Sequence, residues 1–167
     1  MQKGKCRFFN SSPRFNLRTT SILNLISKSW KLVVYTIHTD KADYRFGESQ
    51  VTGHALRTLA FNTDETYQAA DTIWSGTFQF YQDSAQVLLT PFDPDEIPCM
   101  LSINAITDTS VHFSSPQVSV NPQSASATSY QQFVAYEALT FLSLNGINSD
   151  SIRTVKIEFD YYTAISN

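Results

Sequence analysis

Glycine is scarce in this chain, with 5 in 167 residues. The tightest two-residue hairpin turns depend on glycine, so a chain that reverses often must do it with Asn, Asp and Ser turns instead. Charge is thin as well: Asp, Glu, Lys and Arg make up 16% of the residues, against roughly a quarter in ordinary soluble domains. With 12 Lys+Arg against 15 Asp+Glu the net charge is -3. That leaves no basic face for a phosphate backbone, which argues against nucleic acid as a partner. Cysteine is nearly absent. Cys6 and Cys99 are too few for a disulfide framework or a zinc-ligand set and read as two unpaired thiols. No apolar run approaches the roughly 18 residues of a membrane-spanning helix, so no transmembrane segment is expected.

The N-terminal stretch "MQKGKCRFFNSSPRFNLRTTSILNLISKSW" is basic and free of acids, yet it has no apolar core of secretory-signal length. Cys6 follows no apolar stretch and does not read as a lipid-modified cysteine. Taken as it stands, the segment predicts a cytoplasmic chain; a leader missing from this start would place the same chain in the periplasm or cell envelope. Residues 1–20 read as a flexible arm, and residues 21–167 as a single domain. Within "TTSILNLISKSW", Thr20 or Ser21 can cap a short helix whose Ile22, Leu25 and Ile26 share a face.

What is abundant is aromatic: 13% of the residues, 12 of them Phe. The stretch "WKLVVYTIHT" is apolar on both faces and suits a strand covered on both sides. The stretch "DKADYRFGESQVTGH" reads as a polar loop or a short edge strand around Tyr44 and Phe46. Then come "ALRTLAF", "TYQAAD", "TIWSGTFQFYQ" and "QVLLTPF", separated by "NTDE" and "QDSA" turns. In the third of these Trp74, Gly76, Phe78 and Phe80 point one way, while Ser75, Thr77, Gln79 and Tyr81 point the other. "CMLSINAI", "TDTS" and "VHFSS" make another hairpin, and "PQVSVNPQSASATS" reads as a mobile polar loop without an anchor. "YQQFVAYEALTFLSL" reads as a strand by the alternation of Val134, Tyr136 and Ala138, although its composition tolerates a helix. In "RTVKIEFDYYTAI" the residues Val155, Ile157, Phe159, Tyr161 and Ile165 share one face, and a Lys156–Glu158–Asp160 row the other. Such a charged row also discourages edge-to-edge aggregation. Eight to nine short strands predict an all-β fold, an antiparallel up-and-down barrel with a short N-terminal helix, or else a β-sandwich.

The order of "SWKLVVY", "LAFNTDETY", "SGTFQFYQDSAQVLLT" and "LSINAITDTSVHF" resembles the lipocalin-like domains of small bacterial envelope proteins, over roughly residues 28–115. The resemblance implies a calycin-type barrel with one end closed near Trp30 and a cavity inside, and it implies no catalytic residue. Glu65 departs from the pattern where glycine is usual, so its backbone must either avoid positive φ or bear a cost.

Chemistry-bearing motifs are weak. His38 with Asp40, His112, and His54 beside Gly53 are scattered, and no metal site is expected from them. Asp93, Asp95 and Glu96 could attract calcium but lack the glycine-bearing loop of calcium motifs and read as a solvated turn. There is no nucleophile elbow and no phosphate loop. No cofactor and no catalytic residue are assigned, and the expectation is a protein that is not an enzyme; an enzyme would have to use an interior Glu137 or His38. The candidate site is the interior of the barrel, lined by Trp74, Phe78, Phe80, Phe113, Tyr136, Phe159 and Tyr161. It would bind a small hydrophobic or amphipathic ligand through an end gated by loops 41–53 and 116–129. The competing reading is a filled barrel serving as a structural or interaction module of the cell envelope.

Overall fold

The computed structural model describes residues 21–69, 74–81, 85–120 and 129–163. The expected arm, Ile165, Cys6 and most of the Ser/Asn-rich loop lie outside them. The strands, in chain order, are β1 (Ser29–Thr39), β2 (Asp43–Gly47), β3 (Thr58–Phe61), β4 (Thr66–Ala69) and β5 (Trp74–Tyr81). They continue with β6 (Gln86–Pro91), β7 (Cys99–Ile106), β8 (Ser110–Ser114), β9 (Val118–Ser119) and β10 (Thr154–Thr163). One helix, α1 (Tyr130–Leu144), precedes β10, and residues 21–26 are helical.

The sheet runs β2-β1-β3-β4-β5-β6-β7-β8-β10-β9, and β1 also pairs with β10. That last pairing closes eight antiparallel strands into a barrel, with β2 and β9 attached alongside. The expected barrel is therefore the fold, and the sandwich is set aside. Asx-type turns do the reversing where glycine is missing. The Asp64 carboxylate accepts from the Thr66 backbone N–H at 3.1 Å and from its hydroxyl at 2.6 Å, Asp93 accepts from Asp95 N–H, and Asn148 from Asp150 N–H.

Three local expectations need correction. "WKLVVYT" is not a strand covered on both sides. Its register slips between Leu32 and Val34, so Trp30 and Leu32 before the bulge and Tyr35 and Ile37 after it all turn inward. The run "YQQFVAYEALTFLSL" is a helix, not a strand. Ser129 caps it by accepting from Gln132 N–H, and Gly146 at φ +76° ends it. There Ile147 N–H reaches Leu142 O at 3.0 Å and Gly146 N–H reaches Ser143 O at 2.9 Å, the two bonds of a Schellman stop. The Ser/Asn-rich loop is anchored at its start, because Val118 is buried and pairs with Val155.

Trp30, Leu32, Tyr35, Leu59, Phe61, Phe78, Leu89, Leu101, Phe113, Phe159 and Tyr161 fill the interior. The end near Trp30 is sealed by residues 21–26: the Trp30 indole N–H donates to Ile26 O at 2.8 Å, and both residues are fully buried. The Lys28 ammonium lies 5.7 Å from the indole centre. The opposite end is covered by α1. Among the described residues no helix is long and apolar enough to cross a membrane.

Candidate functional site under helix α1

A 3.6-residue period sets Tyr130, Phe133, Glu137 and Phe141 along one stripe of α1. This stripe faces the barrel mouth. The Phe141 ring meets Tyr35 at 4.8 Å and Phe46 at 4.9 Å, edge to face. At the other end of the helix Cys99 Sγ lies 3.6 Å from the Tyr130 hydroxyl. Val134, Ala135, Ala138 and Leu142 supply the rest of the buried face.

Glu137 is the sole charged residue of α1, and it turns inward. Its Oε1 lies 2.6 Å from His54 Nε2, a close contact rather than a well-directed hydrogen bond. His54, which its loop position suggested would be unremarkable, is 5% exposed. The Leu56 N–H donates to His54 Nδ1 at 3.0 Å. Nδ1 therefore carries no proton, and the ring N–H sits on Nε2 toward the carboxylate. Rings of Tyr35, Phe141 and Phe159 stand 4.7, 5.9 and 6.0 Å from the imidazole centre.

Two phenols lie in the same region. The Tyr161 hydroxyl donates to Leu56 O at 2.7 Å. The Tyr35 hydroxyl is buried without a partner among the described residues. Burial first, then the nearby Glu137 carboxylate and Tyr161, push the Tyr35 phenol well above its usual range. Cys99 is pushed up to about 12 by burial, against the lowering contact with Tyr130. A thiol held there supplies no thiolate at neutral pH.

Beside this cluster, between α1 and strands β4–β7, is a cleft of about 60 Å³. Tyr67, Trp74, Leu89, Ile97, Cys99 and Phe133 wall most of it, and Leu56, Ala55, Ala69, Pro91 and Glu96 complete it. Gly76 makes room for one wall. It sits opposite Tyr67 in the β4–β5 ladder, and a Cβ there would run into Thr90 O and come within 2.7 Å of the Tyr67 ring.

Known proteins give no further guide. The chain matches no family model, no curated protein and no solved structure.

Of the residues expected to line a cavity, Trp74 does border the cleft. Phe78, Phe113, Phe159 and Tyr161 are buried in the core and pack ring on ring: Phe61–Phe78 at 5.0 Å, Phe78–Phe80 at 5.6 Å, Phe113–Tyr161 at 5.8 Å. Phe80 is half-buried against them. Tyr136 lies on the outer side of α1 at 58% exposure, because a helical period and not a strand's alternation orients it. Sequence reasoning missed His54, Phe133, Tyr67 and Cys99 as a group. A signal existed in Glu137, one carboxylate in an otherwise uncharged amphipathic run.

On the outer wall the other two histidines converge on one acid. His38 Nε2 of β1 and His112 Nε2 of β8 lie 3.2 and 3.4 Å from Glu158 Oε2 of β10. His38 Nδ1 is 2.9 Å from Asp43, and Lys156 Nζ is 2.6 Å from Glu158 Oε1. Burial lowers the His38 pKa, but the contacts with Asp43 and Glu158 outweigh it and the net direction is up. Burial likewise raises Glu158, and Lys156 and His38 outweigh that, so its net direction is down. Among the described residues no group of three His, Cys, Asp or Glu is arranged to hold a metal ion. This cluster is an ion-pair network across four strands.

Proposed function

We propose that this protein is a non-enzymatic binding barrel that takes a small apolar or amphipathic molecule at its α1-covered mouth. The observation that carries the reading is the apolar cleft walled by Trp74, Tyr67 and Phe133 beside the filled interior. Sites for small molecules are typically concave and largely apolar, with few polar groups. The resemblance to lipocalin-like domains supports the same reading. So does the state of the cluster: His54 Nδ1 is taken by the Leu56 N–H, and burial keeps the Cys99 thiol protonated.

Calorimetry should show the purified protein binding 3,3-dimethylbutan-1-ol, a compact amphipathic alcohol on the scale of the cleft. Ala55→Trp, which fills the cleft from its exposed rim, should abolish the binding without changing the circular dichroism. No binding by the parent protein, together with no small molecule found by mass spectrometry after denaturation, would remove the reading.

A second reading has a specific observation behind it. At about 60 Å³ the cleft is far smaller than the several hundred Å³ of most ligand sites, and the aromatic core is closed. A filled barrel acting as a structural or interaction module is what those two negative results would leave.

A further inference from the structure

The cleft has one charged member, Glu96, and no lysine or arginine among its walls. Glu96 is half-buried at the lip, and among the described residues it has no ion-pair partner. Its neighbours do not relieve it. Asp95 N–H is taken by the Asp93 carboxylate at 2.9 Å and Glu96 N–H by the Asp93 carbonyl at 3.2 Å, a turn that keeps two further acids near Glu96. Deeper in, the Glu137 carboxylate lies against the His54 ring. The potential at the entrance is therefore negative, facing a slot with room for a few heavy atoms rather than a long tail.

A carboxylate ligand would be repelled at this lip, and a neutral one would leave Glu96 partly desolvated and unmatched. A compact organic cation meets neither objection. It would exchange water for the faces of Trp74, Tyr67 and Phe133, whose rings attract positive charge, while staying beside a carboxylate. Resting on the binding reading above, we propose that the cleft is a site for an organic ammonium group, its positive centre held between these three aromatic side chains and paired with Glu96.

Choline and its neutral carbon isostere 3,3-dimethylbutan-1-ol present the same shape with and without charge. Calorimetry or Trp fluorescence titration should show choline binding tighter by about tenfold or more. Glu96→Gln should erase that preference without changing the circular dichroism. Asp108→Asn, at the far end of the barrel, should keep it. Choline cannot lose its charge, so acidification should release it as Glu96 protonates. Burial, then Asp93 and Asp95, raises the pKa of Glu96, so release should begin at a higher pH than an ordinary glutamate would set. Equal affinities for the two probes, or a preference that survives Glu96→Gln, would overturn the inference and leave the binding reading intact. Failure of both probes to bind would take both.

Discussion

Glu65 holds φ at +64° in the β3–β4 hairpin, a conformation that costs a residue with a Cβ about 1 kcal/mol or more. The turn demands it: Glu65 N–H returns to Asn62 O at 3.2 Å, Asn62 N–H takes Thr66 O at 2.9 Å, and Phe78 N–H takes Glu65 O at 2.8 Å. Replacing Glu65 by glycine relieves the strain but adds freedom to the unfolded chain, which offsets part of the gain. Glu65→Gly should stabilise by about 0.5–1 kcal/mol, a rise of roughly 1–4 °C in Tm for a chain this size. Differential scanning fluorimetry will show it, and an unchanged or lower Tm would contradict it. The sequence posed this position as a choice between avoiding positive φ and bearing the cost, and the backbone bears it. The inward sets Val155–Ile157–Phe159–Tyr161 and Trp74–Gly76–Phe78 were equally legible, because alternation is a local property. The His54–Glu137 contact was not legible as a pair: Glu137 stands out in its run, but its partner lies in a loop far back along the chain.

At the level of elements, α1 was misread for a physical reason. Its run is rich in aromatic residues and exposes Tyr136 and Leu144 as well as burying an apolar face, so amphipathic period is weak within it. The informative residues were at its ends: Ser129 three before Gln132, and Asn145–Gly146 after Leu144. The bulge in β1 misled in the same way, since one inserted residue makes a one-sided strand look apolar on both faces. The charged row of β10 was expected to guard an edge. Paired on both sides by β1 and β8, β10 has no such edge there, and the row binds the two histidines instead. What fixes α1 over the mouth is aromatic packing plus the Glu137–His54 contact. Glu137→Leu leaves the buried Nε2–H of His54 facing hydrocarbon, which should destabilise the fold by about 1–3 kcal/mol in urea unfolding. Glu137→Gln keeps an acceptor and should lose less. If leucine is as stable as glutamate there, the helix is held by packing alone.

Across the whole molecule, the His38–Glu158–His112 network ties β1, β10 and β8 together and reaches β2 through Asp43. Its pH dependence has two limbs. His38, raised in the folded state, contributes stability fully present below its ordinary value of 6.5 and lost as pH rises through the higher folded value. Glu158, lowered, contributes stability present above its ordinary 4.5 and lost as pH falls through the lower folded value. The network is therefore strongest between about 4.5 and 6.5. Glu158→Gln should lower Tm more at pH 5.5 than at pH 8.5, by a modest amount since these side chains are partly solvated. Equal losses at both pH values would show that packing, not charge, is what Glu158 supplies.

The seam between β1 and β10 has a consequence for how the protein is made. A ribosome releases the chain N-terminus first, so β1 emerges with one rim bare and keeps it bare until Thr154–Thr163 has been made. Through that interval Leu32, Tyr35 and Ile37 belong to an open curl with an adhesive border, the kind of exposed ribbon that recruits stray chains. A message cut short before Thr154 would strand every copy in that condition.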